Sequence, residues 1–126
     1  MRIVGRIAGA VVGIPFIWLG YDAVTAPGRR VELAAKLGVP RPEDAVRFNG
    51  AAMVVGGLGL LTGVQSRVAA VGLIAALVPT TAAGHAFWND EDPQARKANR
   101  TQFLKNLGLA GGLLAIAVGS ASSSDD

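Results

Sequence analysis

Four apolar blocks set the limits on what this chain can fold into. The first, "IVGRIAGAVVGIPFIWLGY" over residues 3–21, is interrupted only by Arg6. A hydrocarbon core about 30 Å thick takes roughly 20 helical residues at about 1.5 Å each, so this block is long enough to cross. The second, "FNGAAMVVGGLGLLTGV" (48–64), and the third, "VAAVGLIAALVPTTAAGH" (68–85), are separated only by Gln65, Ser66 and Arg67. So short a link forces an antiparallel hairpin. The fourth, "LGLAGGLLAIAV" (107–118), amounts to about 18 Å of helix and spans only if it starts back in "RTQFLKN", near residue 101. That extension carries Lys105 and Asn106 to the headgroup boundary or below it. The expected fold is all-α, a four-transmembrane-helix bundle. It forms one membrane-embedded domain over residues 1–126 of a multi-pass protein of the plasma membrane. A cleaved secretory signal is the other reading of the first block, but "LGYDAVTAPGRR" lacks a convincing small-x-small cleavage site followed by a soluble domain.

Composition narrows the chemistry. The chain is 51% hydrophobic and 17% charged, where soluble domains carry about a quarter charged residues. It has no cysteine, so it has no disulfide framework, thiolate metal site or CxxC redox centre of its own. One histidine cannot build a multi-histidine metal site, and no metal is expected. The net charge of +3 comes from the loops, which fits a bilayer surface and not a nucleic acid.

Glycine placement points to close helix contacts in lipid. Gly5, Gly9 and Gly13 repeat every fourth residue, and Gly59 with Gly63, Gly72 with Ala76 and Gly108 with Gly112 make small-xxx-small pairs. Pro15 and Pro79 each remove a backbone donor within a span and are expected to kink it. The polar connection 22–47 contains "RRVELAAKLG", where Val31, Leu33, Ala34 and Leu37 can share one face of a short amphipathic segment lying at the interface between the first and second spans. Pro42, Glu43 and Asp44 read as a helix start leading into the second span. The tail 119–126, "GSASSSDD", reads as disordered.

Topology follows from the basic residues. Arg2, Arg6 and Arg67 lie on the side of the termini and hairpin; Arg29, Arg30, Lys36, Arg41, Arg47, Arg96, Lys97, Arg100 and Lys105 lie on the side of the long connections. The positive-inside rule then puts the long connections in the cytoplasm and both termini outside.

This arrangement gathers polar groups at one end of the bundle. Tyr21 and Asp22 end the first span, Arg47 and Asn49 open the second, His85 and Trp88 close the third, and Lys105 and Asn106 open the fourth. Polar groups at membrane depth need partners and mark functional sites, so these eight are the candidate ligand-binding residues. His85 titrates near neutral pH and could pass a proton or hydrogen-bond a ligand carbonyl. Lys105 could attract an anion or pair with Asp22, and Asn106 offers donors and an acceptor. Against this stands the plain reading that Trp, Tyr and His collect at interfaces and that Lys and Arg snorkel there. Asp90, Glu91 and Asp92 read as a solvated turn, because no second cluster completes a cation site. Met53 and Trp18 read as packing residues.

In order, "RIAGAVVGIPFIWLGYDAV", "FNGAAMVVGGLGLLTGVQSRVAAVGL", "GHAFWND" and "QFLKNLGLAGGLLAIA" resemble the DoxX family of small four-helix membrane proteins, over nearly the whole chain. Gly56, Gly57, His85, Phe87, Trp88, Lys105 and Asn106 match the family pattern; Met53 stands where many relatives have a glutamate, so a proton or cation role for that carboxylate does not carry over. The resemblance implies a membrane subunit of a redox or oxidative-stress complex with protein partners. On that resemblance the expected protein is not catalytic on its own and contacts a quinone, with no cofactor held within the chain itself. In that reading His85 and Asn106 hydrogen-bond the quinone oxygens, Lys105 stabilises negative charge and Trp88 stacks on the ring. The alternative is a non-enzymatic membrane anchor or scaffold that recruits soluble partners through its basic connection, alone or as a homo-oligomer.

Overall fold

The computed structural model describes residues 3–84 and 87–123. Five α-helices follow in order: α1 Ile3–Thr25, α2 Arg29–Lys36, α3 Pro42–Thr62, α4 Ser66–Gly84 and α5 Pro93–Ser123, with a 3-10 turn at Phe87–Asn89 before α5. There is no strand among the described residues, and four of the helical segments are long and apolar enough to cross a membrane. The helices outrun the apolar blocks because polar residues continue a helix into water as long as its ends are satisfied. Pro42 supplies a preset φ at the start of α3, and Glu43 and Asp44 sit in its first turn against the positive end of the helix dipole. At the start of α5, Asp92 accepts the Ala95 N–H at 3.3 Å, with Pro93 next to it where no donor is needed. The tail expected to be disordered from residue 119 continues α5 as far as Ser123, since Ala and Ser at a helix end break nothing.

α1 lies along α3, α3 packs on α4, α4 packs on α5, and α5 meets α1 only sparsely, so the bundle has one loose seam. The tight seam is built from glycine. A methyl group on Gly13 would lie 2.6 Å from the Gly57 carbonyl oxygen, and one on Gly57 would lie 2.7 Å from the Gly13 carbonyl oxygen. Two turns further along, Gly20 and Gly50 repeat the arrangement, at 2.5 Å and 2.8 Å. Both helices therefore use glycines seven residues apart, and the backbones touch where a side chain would hold them off. Gly56 serves α4 instead: a Cβ there would meet Leu73 Cγ at 2.8 Å, and Leu73 fills that hollow with no exposure at all. Phe16, Leu60 and Leu113 complete the fully buried centre.

Several expected contacts lie elsewhere. Gly9 and Gly13 do pack, but Gly20, Gly50 and Gly57 carry the rest of the seam; Gly72, Gly108 and Gly112 face open space, so their small-xxx-small pairs bring no helix close. Gly59 meets Ala69 across the hairpin, while Gly63 has φ +78° and ends α3 in the left-handed conformation that glycine adopts without strain. Met53 is buried as expected, but Trp18 is 76% exposed on the outer, lipid-facing surface, because Gly13, Phe16 and Gly20 already occupy the inner stripe of α1. α1 and α4 run through Pro15 and Pro79 without a break. α2 rests on α3 and α4 through buried Ala34 and half-buried Val31 and Leu33; Leu37 falls beyond its last turn and points outward.

Candidate functional site

α4 carries two adjacent threonines, and successive helix positions point about 100° apart, so each reaches a different neighbour. Thr80 faces α3, where Asn49 Nδ2 donates to its Oγ1 at 3.1 Å and to the Ala76 carbonyl at 3.3 Å. Thr81 faces α5, where Asn106 Nδ2 donates to its Oγ1 at 3.0 Å. These two rungs tie three spans together at one level, by the interhelical hydrogen bonds that polar side chains form in a bilayer. Sequence reasoning singled out Asn49 and Asn106 but not Thr80 or Thr81; the signal was the adjacent pair of hydroxyls in "VPTTAAG", well inside an apolar block.

Beside the second rung, a cavity of about 270 Å³ opens between α4 and α5. Ile74, Leu77, Trp88 and Phe103 wall it, and Thr81 and Asn106 are its polar side chains. Phe87, Trp88 and Phe103 form a triangle of edge-to-face contacts with ring centroids 5.3, 5.5 and 5.7 Å apart. Trp88, 52% exposed, is thus fixed on one side by the two phenylalanines. Among the described residues, neither the Thr81 O–H nor Asn106 Oδ1 has a further partner. Turning the amide over would make Thr81 the donor and free the Asn106 N–H groups, so the pair presents at least one donor and one acceptor in either arrangement. A ligand oxygen can be held from either side.

The other candidate residues are distributed to separate places. Asp22 pairs with Arg30 at 2.9 Å, not with Lys105. Arg47 grips Glu43 at 3.0 Å and donates to the Val24 carbonyl, clamping the end of α1 to the start of α3. Tyr21 is 66% exposed and points outward. Lys105 stands on the other side of α5 from the cavity, at the mouth of a groove toward α1 lined with Val12, Gly108, Leu109 and Gly112. Its expected charge-stabilising role beside Asn106 therefore lacks the geometry. His85 lies outside the described residues. The acidic trio is a capped turn: Asp90 accepts from Asn99 Nδ2 at 2.8 Å and Asp92 caps α5, and no group that could hold a metal occurs among the described residues.

A family model, DoxX, matches residues 3–86, that is α1 to α4 and the residues just beyond. The match includes Gly56, Gly57 and His85, whereas Trp88, Lys105 and Asn106 follow it. No curated protein and no solved structure matches the chain. With two thirds of its length under the family model and four helices fit to cross a membrane, the chain belongs to the DoxX family of multi-pass membrane proteins.

Proposed function

We propose that this protein is a plasma-membrane subunit of a redox or oxidative-stress assembly, and that its α4/α5 cavity takes the ring of a quinone. The observation that carries the reading is the cavity itself, apolar and aromatic apart from one hydroxyl and one amide held 3.0 Å apart on its wall. At about 270 Å³ it lies at the lower edge of ligand clefts, which run from roughly 300 Å³ upward, so it suits a single ring with its tail left in lipid. The residues present fit such a group. Thr81 and Asn106 would hold one ring oxygen, Trp88 and Phe103 would flank the ring and exclude water, and Leu77 and Ile74 would floor the site. Bound there, a quinone would supply electron transfer; the electrons come from a partner protein, since the chain has no thiol. His85 precedes Trp88 by three residues and is the group to test at the second oxygen.

Protein purified from native membranes is expected to retain quinone and to gain melting temperature when quinone is added back. Asn106→Leu and Thr81→Val should abolish the gain while Lys105→Ala keeps it. Protein that neither retains quinone nor shifts would remove the reading. His85→Ala, made at equal membrane level, should weaken quinone retention without affecting insertion.

The scaffold reading keeps one specific support. Arg29 and Lys36 on α2 and Arg96, Lys97 and Arg100 on α5 are exposed and have no ion-pair partner among the described residues, so they offer a basic surface to an acidic soluble protein. Recovery of one stoichiometric soluble partner from mild detergent, lost with Arg96→Glu and Arg100→Glu, supports it. Recovery of quinone without a partner counts against it.

A further inference from the structure

The loose seam between α1 and α5 is a groove of about 420 Å³, and the residue at its mouth is a lysine. Lys105 lies just before the last apolar block and has no carboxylate partner among the described residues, Asp22 being taken by Arg30. Below it Gly108 and Gly112 leave the wall of α5 bare, and Val12 of α1 closes the opposite side. A cation over an open apolar slot complements one particular amphiphile. We propose that this groove is a binding site for an anionic phospholipid, its phosphate on Lys105 and its acyl chains along Gly108 and Gly112.

Charge separates this occupant from a second copy of the chain. A second helix laid over Gly108 and Gly112 would cover Lys105 without supplying a counter-charge. A phospholipid brings both the slender chains and the charge. The site lies across α5 from the quinone cavity and does not depend on that assignment.

The test is native mass spectrometry of the full chain in detergent, titrated with dioleoyl-phosphatidylglycerol or dioleoyl-phosphatidylcholine. One phosphatidylglycerol adduct should form at about fivefold lower concentration than the phosphatidylcholine adduct, the preference given by one lysine near a surface. Lys105→Gln should erase the preference. Gly108→Leu, at a position with open space around it, should remove the tight adduct with either lipid and leave the melting temperature unchanged. Millimolar inorganic phosphate should not displace the lipid. An undiminished preference in Lys105→Gln, unchanged adducts in Gly108→Leu, displacement by phosphate alone, or a dimer that disappears with Gly108→Leu would each overturn the proposal.

Discussion

Gly20→Ala is the sharpest perturbation of the α1/α3 seam. Its methyl group would lie 2.5 Å from the Gly50 carbonyl oxygen, 2.9 Å from Met53 Cβ and 2.9 Å from Val54 Cγ2. Two of these are parts of the α3 frame that no rotamer can move, so α1 has to retreat. Non-bonded carbon contacts settle near 3.5 Å, which sets the retreat at about 0.6–1 Å. A gap of that size forfeits a quarter to a half of the dispersion well, and one buried leucine such as Leu60 makes about 40–60 contacts of about 0.1–0.2 kcal/mol. A quarter of the smallest product is already about 1 kcal/mol, and overpacking a filled core costs about 1–3 kcal/mol in general. The higher helix propensity of alanine returns about 1 kcal/mol, so the expected net loss is up to about 2 kcal/mol. Gly72→Ala and Gly108→Ala, with nothing near their new methyl groups, should be neutral or slightly stabilising. Unfolding by sodium dodecyl sulfate in mixed micelles, followed by circular dichroism, ranks the three. Gly50→Ala strains the same gap, so combining it with Gly20→Ala should cost less than the sum of the singles. Equal stability of Gly20→Ala and Gly108→Ala, or strict additivity of the pair, would refute the glycine-seam argument.

Asn49→Leu removes the donor to Thr80 and Ala76 and should lower stability in the same assay by about 0.6–1.7 kcal/mol, the range for hydrogen bonds between spans. Gly63→Ala meets φ +78° and the Arg6 guanidinium 2.8 Å away, so the α3/α4 hairpin should lose about 1–2 kcal/mol by the same measurement. Arg47→Lys replaces a fork that reaches Glu43 and the Val24 carbonyl with a single ammonium; amide hydrogen exchange around residues 24–30 should accelerate, while global stability falls by less than about 1 kcal/mol because the pair is half exposed.

The spans were legible because block length is a property of sequence: Arg6 and the link Gln65 to Arg67 mark boundaries that the helices respect to within a few residues. The helix seam was half legible. Gly9 and Gly13 stand at a familiar fourfold spacing, but their working partners repeat at seven, as Gly13 with Gly20 and Gly50 with Gly57, and only the register of α1 against α3 selects those from the 17 glycines present. Composition could not say that Gly72 and Gly108 face outward, since a glycine reads the same on either face of a helix. The polar end was legible as a level and not as a site. Asn49, Arg47, Asp22, Lys105 and Asn106 do belong to the same end of the bundle, but the azimuth of each around its helix decides its neighbour. Asn106 needed Thr81, whose direction around α4 the sequence does not give, before it meant anything chemically.

Azimuth also decides how α5 divides its work. Lys105 and Asn106 are consecutive, so about 100° of helix rotation separates them, and that angle sends one toward α1 and the other toward α4. If the groove and the cavity are separate sites, their losses combine without interaction. Lys105→Gln should shift phosphatidylglycerol preference and leave quinone retention as it was, Asn106→Leu should do the reverse, and the double variant should show both losses at their single-variant sizes. Residues this close ordinarily couple when they share a partner, so additivity here is an informative outcome and not a default. A phospholipid titration that displaced quinone, or an Asn106→Leu variant that lost its lipid preference, would mean that α5 presents one continuous site, and the division between its two faces would have to be abandoned.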